Sequence, residues 1–306
     1  MHKLKSWISA FRLRTLPLSF SNIILGTALA MTTHDINYGL FALILVTTLL
    51  LQIVSNLAND YGDAKKGTDN DNRVGPERAV QSGNISLQQM KVGIIISSIL
   101  ALFSGFALLY VAFNGQFNLV FILFFILGIL AIIAALKYTI GKKAYGYSGM
   151  GDLFVFIFFG LVGVLGTYFL LTKSFEFALI LPAITMGGFS TAVLNLNNMR
   201  DIDNDAAVGK NTLVVKIGRE KAKQYHYGLF FWSYLTFILF SFMTYTTSQF
   251  LVFMIPVVCV GIIHALHLKT VSSVQNPSHF DPELKKIALS SLLFSILVWA
   301  VVFFYF

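Results

Sequence analysis

The chain has 306 residues, of which 56% are hydrophobic and only 12% are charged, and its formal net charge is +8. A soluble domain needs about 25% charged residues to cover its surface, so this composition excludes a water-soluble globular protein. The single cysteine, Cys259, excludes a disulfide framework. The excess of Lys and Arg is spread over many short segments rather than gathered in one patch, which argues against nucleic-acid binding.

Residues 1–14 are basic and amphipathic. Trp7, Ile8 and Phe11 lie at helical spacing among lysines and arginines. This pattern predicts a short interfacial helix on the cytoplasmic face of a membrane.

Nine apolar runs follow, most of them close to the ~20 residues that cross a bilayer. The first is short and contains Pro17, so its start is expected to be an interfacial turn. The predicted spans are Leu16–Met31, Tyr38–Ala58, Val92–Phe113, Leu119–Leu136, Leu153–Leu171, Phe177–Met199, Tyr227–Tyr245, Phe250–Leu268 and Ile287–Phe306.

The positive charges predict the orientation of these spans. With the N-terminus inside, every Lys and Arg between spans falls on the inner side except Lys173. The sequence therefore predicts a single all-α domain over residues 1–306. In this domain nine transmembrane helices surround a central cavity open to the cytoplasm, and the C-terminus lies outside.

Two inner loops, at residues 59–91 and 200–225, are long and rich in carboxylates. Residues 55–83 and 195–218, which include most of these loops, hold eight of the fourteen acidic side chains, namely Asp60, Asp63, Asp69, Asp71, Glu77, Asp201, Asp203 and Asp205. Carboxylates contribute little to topology, so orientation alone does not explain the clustering.

The spacing of these residues predicts two polar stripes at helix ends. The first stripe is Asn56, Asn59, Asp60 and Asp63, and the second is Asn197, Asp201 and Asp205 with Asn198 beside them. Such oxygen ligands suit Mg²⁺, and crowded carboxylates repel one another unless a cation intervenes. Two such stripes on one face predict magnesium ions that hold a polyanion, most simply a diphosphate. Solvated loops with helix caps and salt bridges are the alternative.

Basic residues near the stripes are candidates to complete a phosphate clamp. Arg suits bidentate phosphate contacts, while Lys acts as a point charge. The candidates are Lys66, Arg73, Arg78, Lys142, Lys143 and Lys210.

At these motifs the sequence resembles the UbiA-type superfamily of intramembrane aromatic prenyltransferases. The family's second motif, Asp-x-x-x-Asp-x-x-x-Gly, is met by Asp201, Asp205 and Gly209. Its first motif is met by Asn59, Asp60 and Asp63, but Gly67 stands where the last Asp belongs, and Asp69 follows two residues later. Within the superfamily the chain is most similar to the 1,4-dihydroxy-2-naphthoate polyprenyltransferases of menaquinone biosynthesis.

The resemblance implies a bacterial inner-membrane enzyme. It would transfer a polyprenyl group from its diphosphate to the naphthoate, with decarboxylation, and would depend on Mg²⁺. The implied metal ligands are Asp60, Asp63, Asp69, Asp201 and Asp205, with Asp63, Asp201 and Asp205 catalytic. The implied substrate-binding residues are Asn59, Lys66, Arg78, Tyr138, Lys142, Asn198 and Lys210.

Three other functions are compatible with a multi-spanning helical protein. A related prenyltransferase that acts on 4-hydroxybenzoate or homogentisate remains an alternative, because the residues that select the aromatic acceptor are not evident from the sequence. A divalent-cation transporter should carry ionisable residues at mid-membrane depth, which these spans lack. A CDP-alcohol phosphotransferase motif is not matched. His264 and His267 are expected to be structural, since zinc needs more ligands than this pair offers.

Overall fold

The computed structural model describes residues 2–70 and 73–306, with side chains described from Leu4 onwards. Within these ranges every regular element is helical, as the apolar runs predict. In chain order the helices are α1 His2–Phe11, α2 Leu16–Met31, α3 Tyr38–Lys66, α4 Leu87–Ala112, α5 Leu119–Lys137, α6 Gly151–Thr172, α7 Phe177–Arg200, α8 Ile202–Ala207, α9 Leu213–Ile217, α10 Arg219–Thr244, α11 Thr247–Ser273 and α12 Pro277–Tyr305.

Eight helices of the described chain are long and apolar enough to cross a membrane, namely α3 to α7 and α10 to α12. These eight predicted spans are confirmed by length and composition. The ninth candidate, α2, is a helix of 16 residues. At about 1.5 Å per residue it extends about 24 Å, less than the ~30 Å of a hydrocarbon core.

Helix α3 continues eight residues beyond the predicted end of its span, from Ala58 to Lys66. The first acidic motif therefore lies on the last turns of a membrane helix and not in the following loop. The helix ends at Gly67, whose φ of 72° is the left-handed conformation that glycine adopts readily at a helix C-terminus.

Two compact units make up the structure. The first contains residues 2–16, 42–70, 73–151 and 201–216. Its apolar core includes Leu57 of α3 and Met90 of α4, and Trp7 and Phe11 of α1 pack against this core. Trp7 and Phe11 are therefore partly covered by protein, whereas Ile8 is exposed, and the position of α1 at a membrane surface stays a prediction.

The second unit contains residues 17–41, 152–200 and 217–306. Within it α6 and α7 lie very close together, because a Cβ on Gly160 would come within 2.6 Å of the Gly187 Cα atom. Small residues allow this approach between membrane helices. The middle of α6, Phe156–Leu165, is π-helical.

Gly62 is a comparable close point in the first unit. A Cβ there would lie 2.5 Å from Thr139 Oγ1 and 2.9 Å from the Thr139 carbonyl carbon. The same Oγ1 donates a 2.8 Å hydrogen bond to the carbonyl oxygen of Ala58. Gly62 thus fixes the distance between the acidic end of α3 and the segment after α5.

We predict that Gly62→Ala lowers stability by about 1–3 kcal/mol, because backbone atoms must move to admit the methyl group. The matched control is Gly128→Ala on α5, where nothing lies within 4 Å of the added Cβ. This control should be neutral or slightly stabilising because Ala favours helix. Thermal unfolding in detergent measures both, and equal midpoints for the two variants would contradict the prediction.

Candidate active site

The predicted stripe at the end of α3 is present, but its four side chains make different contacts. Asp60 and Asp63 are buried, and the Oδ1 atom of Asn59 is buried without a hydrogen-bond partner among the described residues. Asn56 instead donates through Nδ2 to the carbonyl oxygen of Phe11 at 2.9 Å. Asn56 therefore attaches the segment after α1 to α3, while the other three side chains remain for the site.

The turn at Gly67 explains the departure from the family motif. The Thr68 amide donates to the Asp63 carbonyl oxygen at 2.9 Å, so the chain reverses directly after the helix. Asp69 then lies with its carboxylate fully buried, 3.3 Å from Arg73 Nε and 3.9 Å from Arg78 Nε. Asp69 is therefore buried beside two arginines, and its role as the replacement for the carboxylate missing at position 67 stays a prediction.

The second acidic motif is not one continuous helical stripe, and in this the sequence prediction was wrong. Helix α7 ends at Arg200, and Asp201 takes a non-helical conformation before the short helix α8. Asn197 accepts a 2.9 Å hydrogen bond from Arg200, so it is engaged within α7. Asp201 and Asp205 are both buried and remain linked, since the Asp205 amide donates to the Asp201 carbonyl oxygen.

The two acidic segments meet within the first unit. Arg73 lies between them, with Nε 3.3 Å from Asp69 Oδ1 and Nη2 3.7 Å from Asp201 Oδ2. A second link is a 2.9 Å hydrogen bond from Asn204 Nδ2 to the Thr68 carbonyl oxygen. Segments about 140 residues apart in sequence therefore share one buried, charged site.

Tyr147, to which the sequence analysis assigned no role, lies at the centre of this site. Its hydroxyl donates to Asp63 Oδ1 at 2.7 Å and is 2.5 Å from Thr68 Oγ1. The ammonium groups of Lys66 and Lys210 lie 3.7 Å and 5.5 Å from its ring centroid, distances typical of cation–π contacts. Tyr147 therefore positions groups from α3 and from both acidic loops.

Arg12 is a second residue that the sequence did not identify. Its guanidinium forms an ion pair with Asp60, and Arg78 Nη1 lies 3.8 Å from the same carboxylate oxygen. A cavity of about 260 Å³ opens beside this pair, with Arg14 and Glu77 also in its wall. Three arginines against two carboxylates give the cavity a positive character.

The charges of the site shift one another's proton affinities. Burial, reinforced by the Asp63 carboxylate, raises the pKa of Asp69 to about 6, and burial does the same for Asp205. Burial and the neighbouring Arg12 and Arg73 lower the pKa of Arg78 to about 9. All these shifts oppose the charged forms, and burial is the largest cause of each.

Several buried oxygen atoms have no hydrogen-bond partner among the described residues. They are Asn59 Oδ1, both carboxylate oxygens of Asp69, and Asp205 Oδ2. Buried acceptors without partners are uncommon and usually await a ligand, a water or an ion. The set consists only of hard oxygens, which is the donor chemistry that Mg²⁺ prefers.

These oxygens do not form a complete coordination sphere for a metal ion. In the part of the chain that the structure describes, no three Asp, Glu, His or Cys side chains are placed to chelate one ion. This arrangement still fits Mg²⁺, which commonly uses one or two carboxylates and completes its shell with waters and substrate phosphates. Lys210 also faces this charge, 3.3 Å from Asp205 Oδ1.

The remaining predicted residues either have other contacts or are not among the residues that the structure describes. The Tyr138 ring packs edge-on against Tyr145, and Lys142 is exposed on the loop after α5. Asn198 is buried on α7, in the second unit. Asp71 lies outside the described residues. Substrate roles for Tyr138, Lys142 and Asn198 stay predictions.

In the part of the chain that the structure describes, eight helices of bilayer length and two acidic segments that meet among arginines and lysines are features that fit the class of intramembrane prenyltransferases. The chain belongs to the UbiA prenyltransferase family, whose family model matches residues 19–292. The resemblance inferred from the two motifs is therefore confirmed.

Known relatives are similar over most of their length. A 1,4-dihydroxy-2-naphthoate octaprenyltransferase from Haemophilus influenzae is 42% identical over 96% of this chain and 94% of its own. The enzyme of the same name from Escherichia coli is 47% identical over 78% of this chain and 76% of its own. The fold is similar to the structure of a UbiA homolog from Archaeoglobus fulgidus bound to GPP and Mg²⁺, with a TM-score of 0.66 and 16% identity over 96% of this chain and 99% of that one.

We predict that Asp63→Asn and Asp201→Asn each lower kcat by at least about 10³-fold, because each removes a charge needed to bind metal and diphosphate. Asp203→Asn is the matched control, since Asp203 lies in the same motif but is exposed. Steady-state assays at saturating Mg²⁺, with folding checked by size-exclusion chromatography, measure the effect. Activity within a few-fold of wild type in either buried variant would refute the metal assignment.

The Tyr147 hydroxyl should contribute less, because Tyr147→Phe keeps the ring beneath both lysines. Loss of its hydrogen bond to Asp63 is expected to lower kcat about tenfold. Tyr145→Phe is the control, since it removes a hydroxyl that donates to the Ala134 carbonyl oxygen at 2.9 Å. The same assay applies, and an equal loss in both variants would show that Tyr147 is merely structural.

Proposed function

We propose that this protein transfers a polyprenyl group from polyprenyl diphosphate to 1,4-dihydroxy-2-naphthoate, with loss of the carboxylate as carbon dioxide. The observation that carries the proposal is the meeting of two acidic segments around buried oxygens that have no hydrogen-bond partner among the described residues. The names of the relatives from Haemophilus influenzae and Escherichia coli support this acceptor, and they favour octaprenyl as the transferred chain.

In the proposed reaction the allylic carbon–oxygen bond breaks and its electron pair leaves on the diphosphate. The aromatic ring then supplies the pair for the new carbon–carbon bond. Developing negative charge on the leaving group must be neutralised, and fixed cations in a buried site do this most effectively. Arg73, Arg78 and Lys210 are among the fixed cations within reach of the acidic cluster.

Bound Mg²⁺ would supply Lewis-acid stabilisation of the same leaving group. Asp63 and Asp69 from one segment, and Asp201 and Asp205 from the other, would hold it, with Asn59 Oδ1 as a neutral ligand. The Tyr147 hydroxyl would keep the Asp63 carboxylate oriented through its 2.7 Å hydrogen bond.

The membrane setting suits both substrates. The polyprenyl tail would lie among the spanning helices, which gives it an apolar path from the bilayer. The cavity beside Arg12 and Arg78 would receive an anionic group, and burial of the site would keep water from the allylic cation.

Topology belongs to the same proposal. The whole chain would act as one domain in a bacterial inner membrane, with nine spans if α2 also crosses. The N-terminus and both acidic segments would face the cytoplasm, where water-soluble naphthoate and Mg²⁺ are available.

The test incubates purified protein with Mg²⁺, octaprenyl diphosphate and one acceptor at a time. We expect a product with the mass of decarboxylated, prenylated naphthoquinol from 1,4-dihydroxy-2-naphthoate. Turnover of 4-hydroxybenzoate or homogentisate should be at least about 100-fold slower, since a site built for one set of polar groups rejects another. Chelation with EDTA should stop the reaction, and Mg²⁺ should restore it. Turnover of 4-hydroxybenzoate alone would overturn the acceptor assignment.

A further inference from the structure

The cavity of about 260 Å³ in the first unit has a wall of mixed character. Charged side chains, among them Arg12 and Arg78, form one part of this wall, and its carboxylates are Asp60 and Glu77. The other part is apolar and consists of Ile8, Leu13, Pro76 and Ala79. Pockets for small molecules combine apolar walls with a few polar groups that fix orientation. This wall therefore suits a compact molecule with an apolar body and one anionic group.

Arg12 and Arg78 share their carboxylate partners. The Arg12 guanidinium pairs with Asp60 Oδ1, and Arg78 Nη1 lies 3.8 Å from the same oxygen. Asp69, 3.9 Å from Arg78 Nε, is also paired with Arg73. The Nε atoms of Arg12 and Arg78 are buried without a hydrogen-bond partner among the described residues. Because a guanidinium presents several donors in a planar fork that matches a carboxylate, the two arginines retain capacity to bind a further one.

The backbone around Arg12 holds this side chain in place. Arg12 has φ 48° and ψ 52°, a left-handed conformation that is uncommon outside glycine and persists only where the surroundings hold it. Its carbonyl oxygen accepts from the Thr15 amide at 2.8 Å and from the Thr15 hydroxyl at 2.9 Å. Asn56 Nδ2 donates to the Phe11 carbonyl oxygen at 2.9 Å and to Thr15 Oγ1 at 3.3 Å. The turn that carries Arg12 is thus attached to α3 one helical turn before Asp60.

The groups suited to metal and diphosphate belong to other side chains. The buried oxygens without a hydrogen-bond partner are on Asn59, Asp69 and Asp205, and Lys210 lies beside Asp205. Among the described residues that line the cavity, Asp60 is the one predicted metal ligand, and the two arginines already engage it. If the diphosphate binds with Mg²⁺ at the first set of oxygens, the cavity is left for the other anionic substrate.

We propose that Arg12 and Arg78 bind the carboxylate of the aromatic acceptor, and that Asp60 is a positioning residue that aligns these arginines and does not bind metal. The assignment rests on the proposed function. It makes the cavity the acceptor site, with the apolar wall available to the aromatic ring. The arginines then select acceptors by their acid group, because a site built to bind a carboxylate leaves buried charge unpaired when the acceptor lacks one.

Kinetics of Arg12 variants test the carboxylate contact. In Arg12→Gln, KM for 1,4-dihydroxy-2-naphthoate should rise at least about tenfold, because charge-assisted hydrogen bonds are lost. The values of kcat and of KM for octaprenyl diphosphate should change less than about threefold, since a uniform binding contact was removed. Arg12→Lys should fall between wild type and Arg12→Gln, because an ammonium keeps the charge but lacks the fork. Lys91→Gln, which removes one charge from an exposed position on α4, should match wild type.

A binding measurement needs neither Mg²⁺ nor prenyl diphosphate. Calorimetric titration with 1-hydroxy-2-naphthoate, which has the acid group, should give a Kd at least about tenfold higher in Arg12→Gln than in wild type. 1-Naphthol, which lacks the acid group, should bind both proteins equally. The double variant Arg12→Gln with Asp60→Asn removes both partners of a buried ion pair, so it leaves no unpaired charge of that pair to impair folding. It should show the same loss of affinity for 1-hydroxy-2-naphthoate.

Asp60→Asn alone separates positioning from metal binding. The Mg²⁺ concentration that gives half-maximal velocity should stay within about threefold of wild type, while KM for the naphthoate rises. A large increase in the required Mg²⁺ would overturn the positioning role of Asp60.

The acceptor assignment and the proposed function fail in different ways. Absence of 1-hydroxy-2-naphthoate binding in wild type, an equal Kd in wild type and the double variant, or a rise confined to KM for octaprenyl diphosphate would overturn the acceptor assignment. If binding depends on Arg12 and the wild-type protein prenylates no aromatic acid, the carboxylate site stands and the proposed function fails.

Discussion

Repulsion among buried carboxylates is the constraint on which the site depends. Asp60, Asp63, Asp69, Asp201 and Asp205 are crowded into one unit, and burial removes the water that would screen them. Arginines and lysines offset part of this repulsion, and burial is the main cause that raises the pKa values of Asp69 and Asp205 to about 6. Divalent cations would bring further positive charge to these carboxylates together with affinity for phosphate oxygens.

The parts of this molecule that follow from local spacing were predictable from sequence. Apolar runs predicted nine spans, of which eight are helices long and apolar enough to cross a membrane in the described chain. The i, i+3, i+4, i+7 pattern predicted that Asn56, Asn59, Asp60 and Asp63 share one face, and all four lie on α3. The link between the two acidic segments was inferred from their common chemistry, because no periodicity relates residues so far apart. The helix break at Asp201 was missed, since nothing in the local sequence forbids helix there.

Residues that reach the site through tertiary packing were missed for a physical reason. Arg12 meets Asp60 across 48 positions of sequence, because α1 packs on the core of the first unit. Tyr147 reaches the site from a short turn. The path of this turn depends on the close contact between Gly146 and Tyr138. The aromatic and glycine-rich run around Tyr147 was a weak indication of a functional segment. Only the folded structure shows that the Tyr147 hydroxyl contacts Asp63.

The turn at Gly67 has a consequence for how relatives are compared. Asp69, the residue predicted to supply the last carboxylate of the first motif, follows a chain reversal, so its sequence position is not fixed by helical periodicity. Loss of an acid at one alignment column and gain of another two columns later can leave the same number of oxygens in the same space. A sequence alignment scored position by position would record such a pair as a damaged motif. In the folded protein the carboxylate would occupy the same space but would come from the chain segment after the turn.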